Sequence, residues 1–104
     1  MSKYRAIKTE VDGIKFDSKK EANRYDQLRL LEKARQISQL ELQPSFRIEI
    51  NGVKVCDYKG DFRYVEDGKT IVEDVKSEIT RKLPVYRLKK KLMYAVYGIE
   101  ILET

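Results

Sequence analysis

The sequence contains no histidine and a single cysteine, Cys56. Without histidine, the Ser-His-Asp triad, the Cys-His pair and histidine-based nuclease mechanisms are all excluded. One cysteine cannot form an intramolecular disulfide, and the two absences together leave no ordinary zinc site. Any catalysis must therefore rest on carboxylates, lysine, tyrosine or a metal ion held by oxygen ligands.

Long apolar runs and low-complexity segments are also missing. No stretch approaches the roughly 18 consecutive apolar residues that a membrane span requires, and the start, MSKYRAIKTE, has no apolar centre typical of signal peptides. We expect a soluble, cytoplasmic protein without a membrane partner. The 104 residues, 41% of them apolar, suit one domain over residues 1–104 with one modest core.

Positive charge exceeds negative charge, with 22 Lys and Arg against 17 Asp and Glu, which gives a net charge of +5. Such an excess favours a polyanionic partner but does not identify one, because many basic domains bind no anion. Whether the excess charge serves an anionic partner depends on how the charged residues are arranged.

A first helix is predicted after Phe16. Ser18 can cap the helix backbone, and Glu21, three residues later, can complete a capping box. The positions that would form its apolar face are Ala22, Tyr25, Leu28, Leu31 and Ala34, while Arg24 is among the residues expected to face solvent. We expect this helix to end between Arg35 and Ser38.

After Pro44 the hydrophobic pattern changes to a period of two, which is typical of β-strands. The dipeptides Asn51-Gly52 and Asp67-Gly68 tolerate positive φ, and each predicts a hairpin. Asp12-Gly13 similarly predicts a short ribbon before the first helix. We therefore expect three or four antiparallel strands after that helix, at residues 46–50, 53–58, 61–66 and 70–76.

A second helix is predicted from Pro84, which suits a first helical turn, to Gly98, which ends it. Its apolar stripe, expected to face the core, consists of Val85, Leu88, Leu92, Ala95 and Val96. Residues 99–102 predict a closing strand beside residues 70–76, joined through a crossover made by this helix. The predicted fold class is α/β, a mixed and largely antiparallel sheet flanked by two helices in the order α-β-β-β-α-β after an N-terminal ribbon.

The predicted strand IVEDVK, at residues 71–76, carries three charged side chains. Alternation places Asp74 and Lys76 on one face and Glu73 on the other, where Glu73 is expected as a surface or opposite-face charge. Taken alone, a D-x-K triplet is a weak signal that a plain charged face explains.

The preceding hairpin strengthens this signal because it brings Asp61 towards Asp74. Two neighbouring carboxylates repel each other unless a cation bridges them, so the sequence predicts a divalent-metal site here. Asp57 is a candidate outer member of that site, although a turn carboxylate is usually only a turn residue.

Several stretches, in order, resemble the PD-(D/E)XK nuclease superfamily, and most closely its small phage-associated branch, long catalogued as a domain of unknown function. They are FDSKKEANRYDQL, LELQP, YKGDFRY, VEDVKS and YRLKKKLMYAVYGIEILE, which together cover most of the chain. The resemblance implies a restriction-endonuclease-like core in an intracellular, phage- or prophage-encoded protein. In one departure from the motif, Gly60 stands before Asp61 in place of proline.

The resemblance also implies a role for each motif residue. Asp61 and Asp74 would hold Mg²⁺ or Mn²⁺ together with the backbone carbonyl of Val75, and Lys76 would orient the nucleophile or stabilise charge. Glu21 would match the additional glutamate that many members contribute to the metal site, with the capping box as its alternative role. The implied reaction is metal-assisted hydrolysis of DNA phosphodiester bonds by an endonuclease, and the superfamily's habits favour branched or recombination-intermediate DNA.

The segment that follows is rich in cations. Its candidate DNA-binding residues are Arg81, Lys82, Arg87, Lys89, Lys90 and Lys91, with a solvated helix face as the alternative explanation. Tyr86 and Tyr94 are candidates for stacking on bases, but tyrosines beside an apolar stripe more often pack in a core.

The sequence favours a Mg²⁺-dependent DNA endonuclease and leaves two other functions open. One is a non-catalytic DNA-binding accessory protein with a nuclease-like fold, and the other is a protein-interaction module whose basic surface is incidental. Because 104 residues hold little beyond a catalytic core, we expect target recognition to involve a homodimer or a recombination or packaging partner protein.

Overall fold

The computed structural model describes residues 8–104 and has a mixed α/β architecture with mostly antiparallel strands. Within those residues, no helix is both long and apolar enough to cross a membrane. The elements in chain order are β1 (Thr9–Val11), β2 (Ile14–Phe16), α1 (Lys19–Lys33), β3 (Ser38–Leu42), β4 (Ser45–Ile50), β5 (Val53–Lys59), β6 (Phe62–Glu66), β7 (Lys69–Asp74), α2 (Glu78–Arg81), α3 (Pro84–Tyr97) and β8 (Leu102–Glu103).

The strands form a central four-stranded sheet in the order β3-β6-β7-β8 and two hairpins, β1-β2 and β4-β5. In the antiparallel pair of β6 and β7, Phe62 lies opposite Glu73. β7 and β8 run parallel, with Asp74 opposite Glu103, and α3 lies in the connection between them. The predicted parallel pairing of the closing strand is therefore confirmed, because a helical crossover lets two strands run in the same direction.

The three predicted turns and most of the predicted helix ends are confirmed. Asn51 and Asp67 have φ of 53° and 51°, and each precedes a glycine of positive φ, as two-residue hairpins require. Asp12 and Gly13 form the same turn between β1 and β2. Helix α3 begins at Pro84 and is capped by Gly98 at φ 69°. Helix α1 ends earlier than predicted, at Lys33, because Arg35 already has a φ of 61°.

Two elements were not predicted, and two predicted strands are shorter than expected. In β3, Gln39 has a φ of 56° and the pairing with β6 shifts register, which obscures the alternation that marks a strand. Helix α2 is a single turn capped by Ser77, too short to show a helical period. Strand β7 ends at Asp74 rather than residue 76, and β8 contains only residues 102–103.

Two clusters of buried apolar side chains lie against the sheet. The α1-side core consists of Phe16, Ala22, Tyr25, Leu28, Ile37, Phe62 and Tyr64. The α3-side core consists of Phe46, Ile48, Tyr58, Val72, Met93 and Ile101. Because side chains alternate along β7, Asp74 points to the same side as Val72, whereas Glu73 points towards the α1-side core.

The predicted core face of α3 is wrong. Val85 is 66% exposed, Leu88 is 57% exposed, and Ala95 and Val96 are exposed as well. The helix instead buries Met93 completely and packs Tyr86 and Leu92 against the α3-side core. The apolar stripe therefore lies mostly on a neighbouring face, and only Leu92 belongs to both.

Candidate active site

The β6-β7 hairpin brings Asp61 and Asp74 to the same end of the sheet. Asp61 directly precedes β6 and Asp74 is the last residue of β7, so the pairing of Phe62 with Glu73 sets the two acids side by side. The Asp61 amide donates to the Glu73 carbonyl over 3.0 Å. The Val75 amide donates to Asp61 Oδ2 over 2.7 Å, which fixes the Asp61 carboxylate beside the chain that leaves β7.

Asp74 is 2% exposed, and its carboxylate contacts Tyr58 and Lys76. The Tyr58 hydroxyl donates to Asp74 Oδ2 over 2.5 Å, and Lys76 Nζ lies 3.2 Å from Asp74 Oδ1. The predicted placement of Asp74 and Lys76 together therefore holds in the structure. Tyr58 was missed, although a tyrosine on the apolar face of a strand needs a partner for its hydroxyl once it is buried.

Glu21 lies in the first turn of α1 and is buried. It lines a cavity of about 270 Å³ together with Asp61 and residues of β2 and β3. Burial raises the pKa of Glu21, and the nearby carboxylates of Asp17 and Asp74 raise it further. The Ser18 hydroxyl accepts from the Glu21 backbone N–H over 3.1 Å, so the helix cap uses the backbone of Glu21 while its side chain lines the cavity.

The pKa of Asp61 is raised to about 7. Burial is the largest cause, and the carboxylates of Asp74 and Glu21 act in the same direction because a further negative charge beside them is unfavourable. The hydrogen bond from the Val75 amide opposes this shift by stabilising the ionised form. The site therefore concentrates carboxylates that repel one another at neutral pH.

Lys76 lies between the Asp74 carboxylate and the ring of Tyr86. Its ammonium lies 4.9 Å from the centre of the Tyr86 ring, within range of a cation–π interaction. The Tyr86 hydroxyl in turn donates to Glu103 Oε2 over 2.6 Å. The Lys76 amide donates to the Thr104 carbonyl and the Thr104 amide to the Asp74 carbonyl, so the residues at and after β8 fix the backbone of the Asp74–Lys76 segment.

Glu73 is not a surface charge, and its neighbour across the α1-side core, Arg24, does not simply face solvent. The Glu73 side chain is fully buried, and Arg24 binds both of its oxygens, at 2.7 Å through Nε and 2.6 Å through Nη2. The Tyr64 hydroxyl also donates to Glu73. Glu73 does lie on the face opposite Asp74, as alternation predicts, but there it belongs to a buried, paired network.

Asp57 is not brought to the site. It lies within β5, is exposed, and pairs with Lys54 over 2.8 Å. A hydrogen bond from Lys54 lowers the pKa of Asp57. The expectation of an outer member of the metal site at this position is therefore wrong.

Gly60 occupies a tight position beside β7. A Cβ added there would lie 3.1 Å from Val72 Cγ1 and 3.4 Å from the Glu73 carbonyl oxygen. The Gly60 amide also donates to the Pro44 carbonyl over 3.0 Å, a bond that proline could not form. Proline at this position would therefore lose a backbone hydrogen bond that glycine forms.

Four of the six candidate DNA-binding cations line one groove of about 580 Å³ beside α3, namely Arg81, Arg87, Lys90 and Lys91. Tyr94, Glu100 and Glu103 line the same groove. We call this the basic groove. Lys82 and Lys89 do not line it. Tyr86 packs against the α3-side core, as the core alternative predicts, whereas Tyr94 is 58% exposed.

The site contains oxygen atoms of the type that magnesium binds. As the side chains stand, no three Asp, Glu or Cys side chains among residues 8–104 are arranged to hold a metal ion. Mg²⁺ commonly takes only one or two carboxylates and completes its shell with carbonyl oxygens and water. Asp61 and Asp74 offer carboxylate oxygens of that kind, and Val75 follows Asp74 directly, with its amide bound to Asp61.

A family model described as "Protein of unknown function (DUF1064)" matches residues 1–101. The chain belongs to this family. No curated protein and no solved structure matches it. The DUF1064 description assigns no activity, so the chemistry of this member has to be inferred from its own side chains.

Proposed function

We propose that this protein is a metal-dependent DNA endonuclease built on a PD-(D/E)XK-type core. One observation carries the proposal, namely that Asp61, Asp74 and Lys76 converge at one end of the β6-β7 hairpin. A partly buried carboxyl group with a raised pKa, as Asp61 is here, is typical of functional sites when other charged side chains lie beside it. The parallel β7-β8 pair joined through α3 supports the same kind of core.

Mg²⁺ or Mn²⁺ would be held by Asp61, Asp74 and the Val75 carbonyl, with Glu21 as an additional carboxylate. When bound, such an ion lowers the pKa of a coordinated water and offsets negative charge on the phosphate. The raised pKa of Asp61 supports this assignment, because a cation would relieve the repulsion that helps to raise it.

The chain's own residues orient the reacting groups. Tyr58 donates to Asp74 Oδ2 and fixes the orientation of that carboxylate, as partners of metal ligands commonly do. Lys76, held between Asp74 Oδ1 and the Tyr86 ring, would orient the attacking water or stabilise charge that develops on the phosphate. These steps need no histidine.

The basic groove also suits a DNA-binding accessory protein that does not cut, which is the second candidate function. The clustered acids favour the nuclease. Placing the partly buried Asp61 beside the buried Asp74 opposes folding, and DNA binding alone would gain nothing from two acids at the site.

The test is a cleavage assay on supercoiled, linear and four-way-junction DNA with Mg²⁺ or Mn²⁺. We expect the wild-type chain to cut at least one substrate only when metal is present, and Asp74→Asn to cut on the order of 100-fold more slowly or worse. Lys82→Ala, outside the site and the basic groove, serves as the matched control and should cut at the wild-type rate.

Absence of cutting with both metals, or cutting by Asp74→Asn at the wild-type rate, would show that the nuclease proposal is wrong. DNA binding without cutting of any substrate would favour the accessory protein. A preference for the four-way junction would support branched DNA as the substrate.

A further inference from the structure

Most of the positively charged side chains that line the basic groove have no carboxylate partner among residues 8–104. Among residues 8–104, Arg81, Arg87 and Lys91 form no salt bridge with a carboxylate. Lys90 has one partner, Glu103, at 3.3 Å. Guanidinium and ammonium groups left free beside a concave surface are the groups that bind phosphate oxygens.

The basic groove adjoins the candidate active site through two side chains. Glu103 lines the groove and accepts the Tyr86 hydroxyl, and the ring of Tyr86 lies beside the Lys76 ammonium. A polymer that occupied the groove would therefore pass close to Lys76. The exposed ring of Tyr94 on the same wall offers a surface for a sugar or a base.

Glu103 reduces the positive potential of the groove, because it places a carboxylate among the lining cations. Its carboxylate is an intramolecular partner for Lys90, on a helix that otherwise presents free cations at this face. An incoming phosphate would compete with Glu103 for Lys90, so the carboxylate opposes anion binding until a phosphate takes its place.

We propose that the basic groove binds backbone phosphates of the nucleic acid that the proposed active site cuts. Arg81, Arg87 and Lys91 contact phosphates directly. Lys90 releases Glu103 and binds a phosphate in its place. This inference rests on the proposed function and adds the path of the substrate. Lys82 and Lys89, although they belong to the same cationic segment, lie outside that path.

The experiment measures binding of a duplex oligonucleotide by fluorescence anisotropy in EDTA, so that metal-dependent cutting cannot occur. Arg87→Ala/Lys91→Ala removes two cations from the groove, and Lys82→Ala/Lys89→Ala removes two cations from the same segment outside it. Both double variants have the same net charge. Circular dichroism establishes that each is folded.

We expect the groove variant to bind about tenfold or more weakly than the control variant, with a shallower dependence of affinity on salt. In a plot of log affinity against log salt concentration, the negative slope should become shallower by about 0.9 for each phosphate that the variant no longer binds. Glu103→Gln should bind more tightly than the wild-type chain, because it removes a negative charge from the groove and its amide oxygen can still accept from Tyr86. Inorganic phosphate at the concentration of the oligonucleotide phosphates should not compete.

Equal affinity and salt slope for the two double variants would overturn the groove as the substrate path and leave the proposed nuclease standing. Tighter binding by Glu103→Gln would support the exchange at Lys90, and unchanged or weaker binding would overturn it. Full competition by inorganic phosphate would make the groove a small-anion site instead. Absence of any DNA binding by the wild-type chain would overturn both this inference and the proposed function.

Discussion

Glu73 and Asp74 are adjacent in sequence, and both are buried, but they have different kinds of partner. Arg24 and Tyr64 surround the Glu73 carboxylate, so its charge is neutralised inside the α1-side core. Asp74 faces Tyr58, Lys76 and the second acid of the site, Asp61. One residue therefore contributes to folding and the other to the proposed chemistry.

Glu73→Gln tests this division of roles. The substitution leaves Arg24 without its carboxylate, and we expect the free energy of unfolding to fall by about 2 kcal/mol, less than for a fully enclosed pair because Arg24 keeps some contact with water. Urea denaturation measures this loss, and cutting per folded molecule should stay at the wild-type level.

Asp74→Asn is the matched neighbour, since it preserves an oxygen that can accept from Tyr58, and it should show the reverse pattern of normal stability and lost cutting. A Glu73→Gln variant that is stable but cannot cut would contradict the division.

Alternation along a strand is sufficient to predict that these two side chains lie on opposite faces of the sheet. It could not show that Glu73 is enclosed, because its partner Arg24 lies 49 positions away in sequence on another element. Tyr58 was missed for the same reason, since its bond to Asp74 depends on how the β4-β5 hairpin packs against the central sheet. The local sequence pattern determines which face of the sheet a side chain points to, whereas its burial depends on how distant elements pack against that face.

At the scale of elements, the passage from β5 into β6 leaves little room for a side chain at Gly60. Gly60 lies between these strands and against β7, where Val72 Cγ1 would be 3.1 Å from an added Cβ. Asp61 follows directly, so a shift of the backbone at this point would also move a site carboxylate.

Gly60→Ala should lower the free energy of unfolding by about 1–2 kcal/mol, because the added methyl group crowds a packed strand. The Val72→Ala background provides the control, since it removes the crowding atom. There the added cost of Gly60→Ala, measured by urea denaturation in a double-mutant cycle, should become markedly smaller. An identical cost in both backgrounds would show that contact with Val72 is not the cause.

Helix α3 shows how far hydrophobic periodicity can be used. Periodicity correctly indicated a helix, and Pro84 and Gly98 correctly predicted its two ends because they act locally on the backbone. It misidentified the buried face, since the most regular apolar stripe is mostly exposed while Met93 and Tyr86 pack inwards. The side of a helix that is buried depends on where the sheet lies, which the sequence of the helix does not contain.

At the scale of the whole molecule, folding gathers negative charge that the unfolded chain keeps apart. Glu21 comes from α1, Asp61 from the residue just before β6 and Asp74 from the end of β7. Burial, together with the proximity of the other two carboxylates, raises the pKa of Asp61 to about 7 in the folded protein, far above its ordinary value of 3.8. The pKa of Glu21 is raised in the same direction.

These shifts predict how stability depends on pH in the absence of metal. Between the ordinary pKa of Asp61 and about pH 7, the Asp61 carboxyl is protonated to a greater extent in the folded chain than in the unfolded chain. The free energy of unfolding must therefore fall as pH rises through this window. In EDTA we therefore expect the melting temperature to fall between about pH 5 and pH 7 and then to level off. Asp61→Asn should flatten this dependence.

If the proposed metal site is correct, added Mg²⁺ should reverse that loss of stability, since it would bind the ionised carboxylates of the folded chain. At 100 times its dissociation constant, a ligand specific for the folded state stabilises by about 2.7 kcal/mol. We expect a clear rise in melting temperature at pH 8, a much smaller rise at pH 5 where protons occupy the site, and none in Asp61→Asn at either pH. Equal stabilisation at both pH values, or undiminished stabilisation of Asp61→Asn, would place metal binding elsewhere on the molecule and separate the carboxylate cluster from the proposed chemistry.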